Sequence, residues 1–413
     1  MTCSLVIRNA RLRDGSDVDI AIADGRYAEI APRLAQRGQI ELDADGRLVT
    51  ESFVIGQLHL DKVFTGSWLG EEAKTEYFDE GAMGGAMTSI ELAARVKERY
   101  GEEECYQRVA RALELAVQSG VSHVRAFVDV DSKARLIGMR ACLRAREAFR
   151  DRIQVQVIAF PQDGVLREPG ALDLVRESLE LGADVVGGIP WLEYTDADIT
   201  RHVDLLFDLA REHDKDVSML VDDAGDPGLR SLETLALRTI SHGWQGRVVA
   251  CHARAMSAYT ELYHRKVVHL LREAQIGIVT NPHTGPLHVR VKDLVAAGVP
   301  IALGGESVYD AYYPYGRCNM LEVAFVVSHA LWAMAPGDWE LLYDATTTVP
   351  ARMIGLADHR IAVGHPANLV VLQHRGLRDA LSFHQEPRYV IHQGRLVAES
   401  TVETVLHPAP QDG

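Results

Sequence analysis

Residues 53–62 read FVIGQLHLDK, and the placement of this run decides the fold. It opens as an unbroken apolar stretch and closes on polar groups. That is the pattern of a strand buried on both faces whose last residues emerge into a site. Side chains two apart on a strand point the same way, so Gln57 and His59 are expected to face one space together. Seven more runs of this kind follow: HVRAFVDV (123–130), IQVQVIAF (153–160), ADVVGGIP (183–190), DVSMLV (216–221), RVVACHA (247–253), IGIVTNP (276–282) and PIALGG (300–305). Amphipathic stretches such as RESLELG (176–182) and DLLFDLAREHD (204–214) lie between them. Strands alternating with helices imply a parallel sheet, and eight repeats imply a (β/α)8 TIM-type barrel over residues 51–355.

The two ends of the chain read differently. SLVIR (4–8), VDIAI (18–22) and GRYAEI (25–30) are short strand signals divided by DG turns, and ANLVVL (367–372) and RYVIHQGRLVAES (388–400) echo them. Residues 1–50 and 356–413 are therefore expected to combine into a small β-sandwich domain beside the barrel.

Composition narrows the function. The chain has 413 residues, 47% apolar and 24% charged, which suits a globular enzyme. A formal net charge of −15 argues against a phosphate-tracking surface, so nucleic acid is excluded as a partner. No apolar run reaches the roughly 18 residues that span a bilayer, and the N-terminus lacks a signal pattern. Five cysteines without CxxC spacing suggest reduced thiols and a cytoplasmic protein.

Chemistry in such barrels sits at the C-terminal ends of the strands. Read there, the candidates are His59, His252 in ACHARAM, and Glu306, a carboxylate after two glycines that would be costly to bury without a partner. Gln162 in FPQDG and Trp191 in IPWLEYT are candidate pocket residues. Glu193 either lines the pocket or partners Arg125. Asp61 and Lys62 read as a structural ion pair, Asp129 and Asp131 as hydrogen-bonding strand ends, and GEEE (101–104) as a solvated helix start. Tyr309, Tyr312 and Tyr313, after the eighth strand, would roof a pocket for a planar ring.

The blocks HLDK (59–62), VRAFVDVDS (124–132), VIAFPQDG (157–164), GADVVGGIPWLEYT (182–195), ACHARAM (250–256), YDAYYPYG (309–316) and NMLEV (319–323) give the chain a resemblance, over nearly its whole length, to the cytosine deaminase-like branch of the amidohydrolase superfamily. That resemblance implies a zinc or iron ion held by an HxH pair on the first strand, a histidine on the fifth and an aspartate on the eighth. A sixth-strand histidine and a glutamate near the fifth strand would move protons. In this sequence the first pair becomes Gln57 and His59, and the fifth-strand histidine becomes Ser218. The glutamate becomes Leu220 or Val221, the aspartate becomes Glu306, and a second aspartate becomes Ser307. His252 keeps the sixth-strand position and Gln162 that of a ring-binding glutamine.

Only His59 and Glu306 remain as good donors, whereas catalytic zinc normally keeps three protein ligands. The resemblance therefore points to a degenerate, metal-free site with no cofactor. The expected enzyme works on a small planar nitrogen heterocycle or its C–N bond by acid/base chemistry. His252, Glu306 and His59 are catalytic, and Gln57, Gln162, Trp191, Ser218, Ser307 and Tyr309 bind the substrate. A homo-oligomer is expected. One alternative is a metal-dependent deaminase whose ligand set is rebuilt with Asp222, Asp223, His283 or His288 around one zinc or iron ion. The other is an inactive small-molecule binding protein.

Overall fold

The computed structural model describes residues 3–70 and 90–407. The chain opens with β1 (Cys3–Arg11), β2 (Asp17–Ala23), β3 (Arg26–Ala31) and β4 (Gly38–Asp43), a sheet in the order β3-β2-β1-β4. β5 (Val49–Glu51) instead joins three strands from the far end of the chain, β14 (Leu369–Val371), β15 (Tyr389–His392) and β16 (Arg395–Glu399). Leu5, Ile7 and Ile20 of the first sheet share one apolar core with Leu369, Val371 and Ile391 of the second, so the chain ends do form a sandwich.

Between them runs an eight-stranded parallel sheet in chain order: β6 (Phe53–His59), β7 (Val121–Asp129), β8 (Gln154–Phe160), β9 (Val185–Gly188), β10 (Asp216–Val221), β11 (Val248–His252), β12 (Gly277–Thr280) and β13 (Ile301–Leu303). Helices α1 (Glu102–Gln118), α2 (Ile137–Phe149), α3 (Ala171–Glu180), α4 (Asp196–Glu212), α5 (Ser231–His242), α6 (Glu261–Glu273) and α7 (Val291–Ala296) link consecutive strands, and α8 (Met320–Ala330) follows the last. Every one of the eight apolar runs holds a strand. β7 is buried at all nine positions because one face meets helices and the other meets the lumen. Phe127, Ile158, Phe160, Val249, Cys251 and Val279 fill that lumen, so the barrel is a packed core rather than a pore.

Local chemistry explains the helices. α1 begins with Glu102, Glu103 and Glu104, which suit the positive end of the helix dipole. It then buries Cys105, Val109, Ala112, Leu113 and Ala116, at spacings of three and four that make one apolar stripe. All five cysteines are buried and unpaired, and no helix among the described residues is long and apolar enough to cross a membrane.

The barrel closes where β6 meets the end of β13. The His59 N–H donates to the Glu306 carbonyl at 2.8 Å, and the Gly305 N–H donates to the Gln57 carbonyl at 2.9 Å. The seam that shuts the barrel therefore carries three of the candidate residues on its two sides.

Candidate active site at the barrel seam

Gln57 owes its position to an irregularity in β6. The pairing of β6 with β7 slips between Ile55 and Leu58, a bulge that re-aims the residues within it. The Gln57 side chain is fully buried, and its Oε1 accepts a hydrogen bond from Asn281 Nδ2 at 2.8 Å. The same Asn281 nitrogen donates to Glu306 Oε2 at 2.6 Å. Asn281 stands just beyond β12, so this one amide links the ends of the first and seventh strands to the residue beyond the eighth.

Glu306 is 4% exposed, and burial raises its pKa above the ordinary carboxyl value, against the opposing pull of His252. Its backbone has φ 54°, and that of His252 has φ 68°. Left-handed backbone at non-glycine residues costs on the order of 1–3 kcal/mol and clusters at functional sites. His252 ends β11 with its Nε2 3.6 Å from Glu306 Oε2 and its Nδ1 3.4 Å from Asp223 Oδ1. Among the described residues neither ring nitrogen completes a hydrogen bond. Asp223 is in turn held by Arg254 Nε at 2.6 Å. A carboxylate, an imidazole and a carboxyl thus lie in sequence across the mouth.

His59 is 1% exposed and stacks on Tyr312, with ring centroids 5.2 Å apart and planes 25° apart. Its Nδ1 has no hydrogen-bond partner among the described residues. Burial drives its pKa well below the ordinary imidazole value, and the positive charges of Lys62 and Lys97 push the same way, so the ring is neutral. Lys62 also lies 5.5 Å from the centre of the Tyr312 ring, within cation–π reach.

The remaining candidates divide. Ser218 is buried in β10, and its hydroxyl meets Cys251 Sγ at 3.7 Å. Val221 lies in register with His252 across the β10–β11 ladder. Gln162 is 1% exposed, and its Oε1 has no partner among the described residues. Trp191 packs into the lumen core, its Nε1 likewise without a partner among them. Ser307 hydrogen-bonds Asp310, whose carboxylate also accepts from the N–H groups of Tyr312 and Tyr313, so this turn positions the tyrosine over His59. Tyr309 is 37% exposed with its ring near Gly66, away from the stacking position that Tyr312 takes.

The suggested Glu193–Arg125 pair does not form. Glu193 accepts from the N–H groups of Val165, Leu166 and Arg167 and meets His202 at 2.8 Å, whereas Arg125 turns to Gln156 and Asp216. Lys62 lies 3.8 Å from Asp61, but its closer partner is Asp129. Of the residues offered for a rebuilt metal site, Asp222 caps α5 through the N–H groups of Ser231 and Leu232, and Asp223 stands behind His252. His288 Nδ1 lies 3.0 Å from the Val289 carbonyl oxygen. His283 is half-buried and edge-on to Tyr313, with its pKa pushed down to about 3, chiefly by desolvation of the ring.

The four-ligand ion of the resembled family does not fit these residues. The Gln57 oxygen is engaged by Asn281, and Ser218 faces a thiol. What remains is His59, His252 and Glu306, whose nearest donor atoms all lie within 4.8 Å of one another. Asn281 escaped the reading of the sequence, in which it is only part of the strand run IGIVTNP (276–282). Its position at a strand end was the available clue.

Comparison with known proteins agrees with this architecture. The amidohydrolase family matches residues 69–398. An N-isopropylammelide isopropyl amidohydrolase from Pseudomonas sp. (strain ADP) is 30% identical, over 96% of this chain and 98% of its own. A pterin deaminase from Rhizobium rhizogenes is 27% identical, over 92% and 88%. The structure of 5-methylcytosine deaminase from Klebsiella pneumoniae liganded with 5-fluorocytosine superposes with a TM-score of 0.89 at 29% identity, covering 98% of this chain and all of that one. With the family match over residues 69–398 and the shared barrel, the chain belongs to the amidohydrolase family, in its cytosine deaminase-like branch.

Proposed function

We propose that this enzyme hydrolyses the exocyclic C–N bond of a small, electron-poor nitrogen heterocycle without a metal ion, using His252 and Glu306 as its acid/base pair. The observation that carries the reading is the row Asp223–His252–Glu306, with 3.4 and 3.6 Å between neighbours and its last two members buried. The substrate class comes from relatives named for ammelide, pterin and methylcytosine. All three are planar rings bearing nitrogen.

The residues divide the proton traffic as follows. His252 takes a proton from water as the water oxygen bonds to the ring carbon, and the Glu306 acid protonates the adjacent ring nitrogen, which receives the displaced electron pair. The exocyclic C–N bond then breaks with its electrons on nitrogen. The departing amine takes the proton from His252, and the new hydroxyl returns one to Glu306, leaving an oxo group on the ring. Burial of Glu306 favours the neutral acid that this sequence needs. Neutral His59, stacked on Tyr312, orients the ring, and Gln57 and Gln162 offer amide hydrogen bonds to its edge. The ring must be electron-poor because no cation sharpens the attacking water.

The test is turnover of a panel of aminopyrimidines, aminotriazines and pterins, alongside metal analysis. Activity is expected to survive exhaustive chelation, with metal content far below one per chain. A second reading rests on the convergence of His59, His252 and Glu306, a two-histidine, one-carboxylate set of the kind that holds catalytic zinc. Stoichiometric metal on which turnover depends would decide for that reading and sink the first.

A further inference from the structure

Asn281 is 2% exposed, and its backbone is fixed on the C-terminal side by Pro282 and Thr284. Pro282 follows it, and its carbonyl accepts both the N–H and the hydroxyl of Thr284. Its Nδ2 reaches Gln57 Oε1 at 2.8 Å and Glu306 Oε2 at 2.6 Å. Among the described residues its Oδ1 has no hydrogen-bond partner, so there the nitrogen end alone is in use. Gly304 makes the room: a Cβ there would come within 2.3 Å of Asn281 Oδ1 and 2.8 Å of Gln57 Oε1.

We propose that the Asn281 amide is a latch that stands in for a divalent cation, holding Gln57 and Glu306 together and keeping an ion off their oxygens. The inference rests on the metal-free reading above. A cation draws anionic and carbonyl oxygens together, and an NH2 group does the same with two partly positive hydrogens. A metal approaching the same oxygens would meet those hydrogens head-on. Asparagine suits the task where aspartate would not, because aspartate has no hydrogens to give Gln57 and would compete with Glu306 for its proton unless a cation came between them.

The prediction is that Asn281→Asp converts the latch into a ligand. Cobalt(II) alone is the probe, titrated into chelator-stripped full-length protein and followed by its visible absorption and by thermal unfolding. The wild type is expected to show no stoichiometric band. Asn281→Asp is expected to bind one cobalt about 10–100-fold more tightly and to gain thermal stability from it. The band should disappear when His59→Gln is added. Gly304→Ala, which crowds Asn281 off its acceptors without adding charge, should also raise affinity, and it serves if the aspartate variant does not fold. Unchanged affinity in both variants overturns the latch and leaves the metal-free reading intact. A stoichiometric band in the wild type that His59→Gln abolishes overturns both.

Discussion

His252→Gln and Glu306→Gln are each expected to lower kcat/KM by about 10²–10⁴-fold, the usual range for a positioned acid or base, while leaving the unfolding temperature nearly unchanged. Glutamine matches the carboxyl of Glu306 in shape and still accepts the Asn281 hydrogen bond, but it cannot release a proton. At position 252 it keeps a polar group between Asp223 and Glu306 but cannot exchange a proton at neutral pH. The two distances in the row, 3.4 and 3.6 Å, are longer than hydrogen bonds. Such contacts are commonly long without substrate and tighten in its complex.

The pair should also be non-additive. If the two residues act on one substrate in one step, the double variant loses scarcely more than the worse single one, because residues that work as a unit share their contribution. Independent structural roles would instead give losses that multiply. Asp223→Asn tests the support behind His252. It removes the charge that faces Nδ1 but keeps the shape, so kcat should fall while KM holds.

The reading of FVIGQLHLDK set the fold correctly because a parallel barrel buries both faces of each strand, and such strands appear in sequence as uninterrupted apolar runs. The terminal sandwich was equally legible, since short alternating strands and DG turns are local signals. Pairing was harder. Arg125 and Glu193 looked like partners because both are charges on barrel strands or their ends, yet Glu193 is spent on three backbone N–H groups of the 165–167 turn and on His202. Asn281 stayed hidden because its partners lie 224 and 25 residues away and meet only when β6 and β13 close the barrel. Lys97 was hidden for another reason. It sits in the helical stretch 90–97, whose sequence IELAARVK reads as amphipathic, where a lysine would ordinarily be solvated.

That lysine carries the largest stability prediction. Its side chain is fully buried and faces Asp129 at 3.1 Å, Asp163 at 3.5 Å and Asp131 more closely still, while Lys62 holds the other side of Asp129. Lys97→Met keeps most of the volume and removes the charge, leaving buried carboxylates with one cation fewer. Breaking a buried ion pair from one side costs about 3–5 kcal/mol, which denaturant unfolding should register if the transition remains a single step. The cost is not the worth of the pair. Adding Asp131→Asn to Lys97→Met should recover part of it, whereas two unrelated losses would simply add. The pH dependence has a definite sign. The folded pKa of Lys97 lies above its ordinary 10.5, so its contribution is complete below that value and fades as pH rises beyond it. The folded pKa of Asp131 lies below its ordinary 3.8, so its contribution is complete above that value and is lost as pH falls. The gap between wild type and variant should therefore be flat through neutrality and shrink below about pH 4. A gap that stayed constant into acid would mean that the methionine disturbs packing rather than charge. Burial is the main cause of the lowered His59 pKa, and the same substitution removes only the smaller push that Lys97 adds to it.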